Sequence, residues 1–190
     1  MRAYCDRCQY PASQCLCAAV TPTCLSAPAI VLQHPKEQKH AKNTARLAQL
    51  CSRKVTVINT SDADAMQKLR IHCDATSSAL IYPAEYSRPL EDTAFSEMPV
   101  KQWLFLDGSW KQAYAMLHQH PFLQALPAYH FASPPDSAYH IRHTQKINSL
   151  STLEAIAYCM HQVYQDDVSP LYSLQKVFVE RWRAPAAHRR

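Results

Sequence analysis

Four cysteines stand close together near the start of the chain, Cys5-x-x-Cys8 and, after six residues, Cys15-x-Cys17. Two thiolate pairs on a short loop can close four bonds to a tetrahedral zinc ion at about 2.3 Å each. Four thiolates also suit an iron–sulfur centre. A site of this kind is structural, because no coordination position stays open for a substrate. The segment carries Pro11 and few large apolar residues, so metal binding would supply the stability that its own core cannot. Without a metal it would be a reduced, unstructured N-terminus. The other four cysteines, Cys24, Cys51, Cys73 and Cys159, are scattered singly and read as small buried hydrophobes.

The second stretch able to do chemistry is Leu104-Phe105-Leu106-Asp107-Gly108-Ser109-Trp110. An apolar run ends at an acid, followed at once by the chain's single glycine. Glycine serves where φ is positive or where another group approaches the backbone closely. Lys111 to His118 reads as a helix, so Asp107 to Trp110 is a strand-to-helix turn at a strand's carboxyl end, where open α/β sheets bind ligands. The plainer reading is a tight turn, with Asp107 or Ser109 capping the helix and Trp110 in the core.

The elements around these stretches alternate. Ala29–Leu32, Val55–Ile58 and Ala79–Tyr82 read as buried strands, and Ala128–Phe131 as a short one. Asn43–Cys51, Ala63–Cys73, a segment opening at Ser151 and one from about Leu171 read as helices. In the last, Leu171, Leu174, Phe178 and Trp182 share a face. His34 and Glu37 follow the first strand as Asp107 follows the central one. Tyr86–Pro99 reads as a loop. Ser151-Thr152-Leu153-Glu154 has the form of a capping box, whose backbone N–H groups start the helix and could hold an anion. The alternation predicts an α/β domain with a largely parallel sheet flanked by helices. Residues 1–24 form the cysteine segment and 25–190 the α/β domain. With one glycine, neither a dinucleotide fingerprint nor a phosphate-binding P-loop is present.

A net charge of +5 and a pI of 8.8 make the chain mildly basic. That is compatible with RNA, and Arg181, Arg183, Arg189 and Arg190 give it a basic end. No apolar run reaches membrane-spanning length, and residues 1–6 lack the apolar core of a signal peptide. A cytoplasmic protein without membrane or DNA partners is the expectation; oligomeric state is open.

Taken in order, these motifs resemble the DTW-domain family. Its Asp-x-Thr-Trp signature is matched by Asp107-Gly108-Ser109-Trp110, with serine in place of threonine. The resemblance extends over the cysteine cluster, Gln33-His34-Pro35-Lys36-Glu37, Asn43-Thr44-Ala45-Arg46-Leu47 and Ser151-Thr152-Leu153-Glu154-Ala155. It implies a SPOUT-related fold with a knotted C-terminal part. It also implies a tRNA-uridine aminocarboxypropyltransferase, which moves the 3-amino-3-carboxypropyl group of S-adenosylmethionine to N3 of a tRNA uridine and releases 5′-methylthioadenosine. The expected target is the variable-loop uridine at tRNA position 47, giving acp3U.

For such a reaction Asp107 is the candidate to accept or orient the N3 proton. Trp110 offers a π-face to uracil or adenine. Gly108, Ser109, Ser151 and Thr152 are candidates to hold cofactor or uridine. Arg142 suits the cofactor carboxylate or an RNA phosphate, with a structural salt bridge as its plainer role. His34, Glu37 and Asn43 form a candidate site loop. Two other readings fit the same residues: a SPOUT-like RNA methyltransferase and a non-catalytic zinc-containing RNA-binding module.

Overall fold

The computed structural model describes residues 3–95, 100–141 and 149–182. Among them six strands form one sheet: β1 Ala29–Gln33, β2 Val55–Asn59, β3 Ser78–Ile81, β4 Arg88–Pro89, β5 Gln102–Asp107 and β6 Ala128–His130. Five α-helices accompany them: α1 Ala45–Cys51, α2 Ala63–His72, α3 Trp110–Gln119, α4 Thr152–Tyr164 and α5 Ser169–Trp182. The strand order is β2-β1-β5-β3-β6-β4, and every one of these pairings is parallel.

The near-continuous apolar strands follow from burial on both faces, as parallel sheets require. On β5, Trp103 and Phe105 belong to one core, whereas Leu104 and Leu106 pack into the other. The larger core joins the sheet to α1, α4 and α5 through Leu47, Ile156, Leu171 and Phe178. The smaller joins it to α2 and α3 through Met66, Leu69 and Leu117. Aliphatic periodicity along each helix therefore marks a real inner face.

The central strands set the level of the site. Gln33 pairs with Asp107 at the carboxyl ends of β1 and β5, and His34 N–H donates to Asp107 O at 2.9 Å just beyond. From β1 the chain turns outward to β2, while from β5 it passes over β3 to β6. Such a reversal of direction opens a crevice at the strand ends.

Two expectations are corrected here. Within the stretch read as a loop, Arg88–Pro89 pairs with Tyr129–His130 as an edge strand. Two residues carry no periodicity, and proline is tolerated at an edge. Among the scattered cysteines, Cys51 and Cys159 are buried, but Cys24 is exposed. Burial pushes the Cys51 thiol up to about 11 and the Cys159 thiol well above its ordinary value. No described helix is long and apolar enough to cross a membrane.

Trp103 is fully buried beneath this sheet, and its Nε1–H donates to Tyr164 Oη at 2.9 Å. Tyr164 in turn donates to Val100 O at 2.7 Å. Tyr164→Phe removes the acceptor of one bond and the donor of the other. A loss of about 1–3 kcal/mol is expected for a stranded buried donor, read as a lower urea midpoint with an unchanged slope. An unchanged midpoint would mean that water replaces the hydroxyl.

Candidate active site and metal centre

Asp107 ends β5 and is 6 % exposed. Three donors from three other parts of the chain meet its carboxylate. Gln33 Nε2, from the end of β1, reaches Oδ2 at 2.9 Å, and Asn43 Nδ2 reaches the same oxygen at 3.2 Å. Thr152 Oγ1, in the first turn of α4, donates to Oδ1 at 2.5 Å. A carboxylate offers about four acceptor positions, so three are filled by protein. The plainer sequence reading gave Asp107 a helix cap; instead it ties two strand ends, the 43 loop and α4 into one node.

The helix cap belongs to Ser109. Its Oγ accepts from Gln112 N at 3.4 Å, and Ser109 N donates to Gln112 Oε1 at 2.6 Å, which completes a capping box. Gly108 does not have a positive φ. Its need is for space: an added Cβ would lie 3.0 Å from Gln112 Cβ and 3.5 Å from His34 Cβ. The glycine lets Gln112 fold back over the turn.

Trp110, the first residue of α3, is 37 % exposed and so is not the core residue of the plainer reading. It stands at the mouth of a cleft of about 350 Å³ between the carboxyl ends of β3, β5 and β6 and the start of α4. Apolar and aromatic walls come from Ile81, Tyr82, Phe105 and Phe131, and Gly108 and Thr152 also line it. The site residues predicted from sequence therefore fall into two groups. Gly108, Trp110 and Thr152 face the cleft, whereas Asp107 and Asn43 lie behind it, both buried. Glu37 is buried too, and its carbonyl accepts from Asn43 Nδ2 at 3.2 Å. His34 Nδ1 accepts from Lys36 N at 3.2 Å, stiffening the loop after β1. Ser151 turns inward, donating to Gln175 Oε1 at 2.8 Å while capping α4. The capping box with Glu154 is present as expected. Arg142 lies outside the described residues, as do Arg183, Arg189 and Arg190.

One cleft residue had no signal in the sequence. His130, at the end of β6, lines the cleft, and its Nδ1 lies 2.9 Å from Ser87 Oγ. Ser87 gives its own proton to Ala84 O at 2.6 Å, so Nδ1–H is the donor to Ser87. In a neutral ring, this bond leaves the lone pair on Nε2. A period-two strand pattern cannot mark such a residue.

The four N-terminal cysteines come together, with all their Sγ atoms within 4.8 Å of one another. Cys5 and Cys17 are 3.7 Å apart, Cys8 and Cys15 3.9 Å, and Cys5 and Cys15 3.5 Å. Tetrahedral zinc–thiolate bonds imply S···S edges of about 3.8 Å, so the set fits. Backbone N–H groups of Cys8 and Arg7 pull the Cys5 thiol down to about 6, whereas burial pushes Cys17 up to about 12. Gln9 takes a left-handed conformation, φ 59°, to turn the chain between the pairs. The segment does not stand apart: Cys8, Tyr10 and Leu16 are buried within the larger core. Tyr10 Oη donates to Asn43 O at 2.6 Å, and the Arg46 guanidinium lies 5.1 Å from the Tyr10 ring centroid.

A parallel sheet with its polar node and cleft at the strand ends defines an α/β domain with a candidate ligand site. The chain belongs to the DTW-domain family, whose domain matches residues 2–183. A Drosophila melanogaster protein, tRNA-uridine aminocarboxypropyltransferase 2, is 31 % identical over 92 % of this chain and 74 % of its own length. A Mus musculus protein of the same name is 26 % identical over 82 % of this chain and 55 % of its own. No solved structure matches the chain.

Gly108→Ala tests the close approach at the turn. The new methyl group must push Gln112 from Ser109 N, weakening a cap worth about 1 kcal/mol and shifting Trp110. The variant is expected to lose about that much stability and to show altered Trp fluorescence. Unchanged values in both would mean that the turn relaxes freely.

Proposed function

We propose that the protein transfers the 3-amino-3-carboxypropyl group of S-adenosylmethionine to N3 of a tRNA uridine, probed here as the variable-loop position 47. The observation that carries the reading is the Asp107–Asn43–Thr152 node directly behind an aromatic cleft that Trp110 borders. The names of the fly and mouse relatives support it. A cytoplasmic site of action is part of this proposal.

The reaction asks for three things. The donor must present its γ-carbon, the base must lie flat in line with the carbon–sulfur bond, and the imide proton must leave. The apolar walls of the cleft suit adenine, and Trp110 offers a stacking face to the extruded base. As N3 bonds to the γ-carbon, the C–S bond breaks with its electron pair going to sulfur, giving neutral 5′-methylthioadenosine. The N3 proton passes to His130 Nε2, the ring nitrogen left with a lone pair. Asp107 is in this reading a positioning residue: it fixes Thr152 at the cleft wall and holds the 43 loop. Ser109 and Ser151 start helices and are assigned no substrate contact in this reading. Arg142 is proposed for the cofactor carboxylate.

Substitutions at Asp107 separate the two roles. Asparagine can preserve the node, because its oxygen accepts from Gln33 and Asn43 while the Thr152 hydroxyl rotates to accept from its amide. Asp107→Asn is expected to keep product formation within about tenfold, whereas Asp107→Ala and His130→Ala lose roughly a hundredfold. The measurement is single-turnover formation of acp3U on unmodified tRNA, with nucleosides and the sulfur product resolved by mass. Equal inactivity of folded Asn and Ala variants would return proton acceptance to Asp107. S-Adenosylhomocysteine in place of methylthioadenosine would make the enzyme a methyltransferase. Binding of tRNA with neither product would leave an RNA-binding module.

For the cysteine cluster we propose a structural zinc ion held by Cys5, Cys8, Cys15 and Cys17. The wild-type chain should carry about one zinc per molecule, and Cys15→Ser much less. Because Tyr10 joins the cluster to Asn43, metal loss should also lower the melting temperature of the whole domain. Full zinc retention by Cys15→Ser would rule out the ligand set.

A further inference from the structure

The exposed face of α3 carries aromatic rings beyond Trp110, the one that borders the cleft. Trp110, Tyr114 and His118 recur every fourth residue and so share one side of the helix. Tyr114 is 59 % exposed, and its ring centroid lies 4.3 Å from that of His118. At the cleft end, the Tyr82 and Trp110 rings are 6.4 Å apart. Burial, and then the Tyr114 and Tyr86 hydroxyls, push the Tyr82 phenol up. Tyr86 is itself 49 % exposed. A soluble surface seldom leaves contiguous large rings in water unless something covers them.

Charge and continuity select the occupant. No acidic residue occurs in the sequence between Asp107 and Asp136, and Lys111 follows Trp110; Glu85 precedes Tyr86. The patch runs into the cleft mouth without interruption at Trp110, so a protein seated on it would close the cleft against its own substrate. An RNA strand entering the cleft has to cross it. Successive rings along α3 are about 6 Å apart in rise, longer than the roughly 3.4 Å step of a stacked strand. They therefore suit bases that are splayed apart, as in single-stranded loops.

We propose that Tyr114, backed by His118, is a stacking platform for the unpaired nucleotide next to the modified uridine. This rests on the tRNA reading above. It adds a specificity surface outside the cleft and predicts preference for a uridine in a loop over one in a duplex.

The test uses the full-length protein with Tyr114→Ala and Tyr114→Phe, a tRNA transcript and S-adenosylmethionine. Binding of tRNA is read by fluorescence anisotropy and turnover by product mass. Loss of one base–aromatic stack should weaken tRNA binding and raise its KM by about tenfold in Tyr114→Ala. S-Adenosylmethionine affinity and kcat at saturating tRNA should stay unchanged, and Tyr114→Phe should restore binding. A folded Tyr114→Ala protein with wild-type tRNA affinity would overturn the proposal. So would a change of oligomeric state, by light scattering, with tRNA affinity unaltered, since the patch would then be a self-association surface. A wild-type protein that binds tRNA but forms no acp3U would defeat the enzymatic reading alone, leaving the binding comparison to decide the platform.

Discussion

One buried carboxylate holds the working end of this molecule together. Asp107 receives hydrogen bonds from Gln33, Asn43 and Thr152, residues carried by β1, the loop before α1, and α4. Each donor is brought in from a separate stretch of chain, so the contact closes only when the sheet, that loop and α4 are all in place. Each buried donor left without it would cost about 1–3 kcal/mol. The node thus makes the cleft a consequence of the whole fold. Thr152 reaches the cleft wall because its hydroxyl is anchored behind it, and α4 begins where Glu154 fixes its first turn. Glu154, itself 2 % exposed, accepts from Ser137 Oγ, Ala138 N, Ser151 N and Gln175 Nε2, which ties the 137–138 segment and α5 to the same helix start.

The N-terminal cysteine segment enters the same logic through Tyr10. Its hydroxyl donates to the carbonyl of Asn43 while the Asn43 amide donates to Asp107. Arg46 adds a second tie, bonding to Gln9 O and Gln38 O at 2.9 Å each. A segment too small for a core of its own is therefore seated on the loop that positions the node. Tyr10 packs 5.1 Å from the Phe178 ring and is pushed up by burial, so its hydroxyl stays a donor. The cysteine turn and the node behind the cleft are joined through Tyr10, the carbonyl and side-chain amide of Asn43, and Asp107.

Much of this was legible in the sequence where a local rule governs. Apolar runs marked β1, β3 and β5 to within a residue or two, since strands buried on both faces must be apolar throughout, and the apolar run of the half-exposed edge strand β2 marked it too. The Ser151–Glu154 capping box marked α4, and Ser109 was one of two candidate caps for α3, its partner Gln112 emerging from the structure. The strand-end position singled out Asp107, Gly108 and Trp110. What sequence could not supply were meetings between distant residues. Gln33 and Asp107 are 74 positions apart, and Tyr10 and Asn43 33, and no periodicity brings such pairs together. His130 was hidden for the same reason, its tautomer being set by Ser87 across a strand pair.

The single glycine shows why residue type alone is an incomplete guide. A chain with so little glycine must still turn through left-handed backbone, and it does so with glutamines, Gln9 between the cysteine pairs and Gln165 at the end of α4, both at φ 59°. Left-handed placement of a side-chain-bearing residue costs about 1–2 kcal/mol, and the chain accepts that twice among the described residues. Glycine is kept instead where the obstacle is another side chain. At Gly108 the Gln112 side chain must come within reach of Ser109 N, and a methyl group would stand in its path. Backbone strain can be borne where surrounding contacts fix the turn, but two atoms cannot share one position. Since that turn sets where α3 begins, the space left at Gly108 determines where Trp110 stands at the cleft.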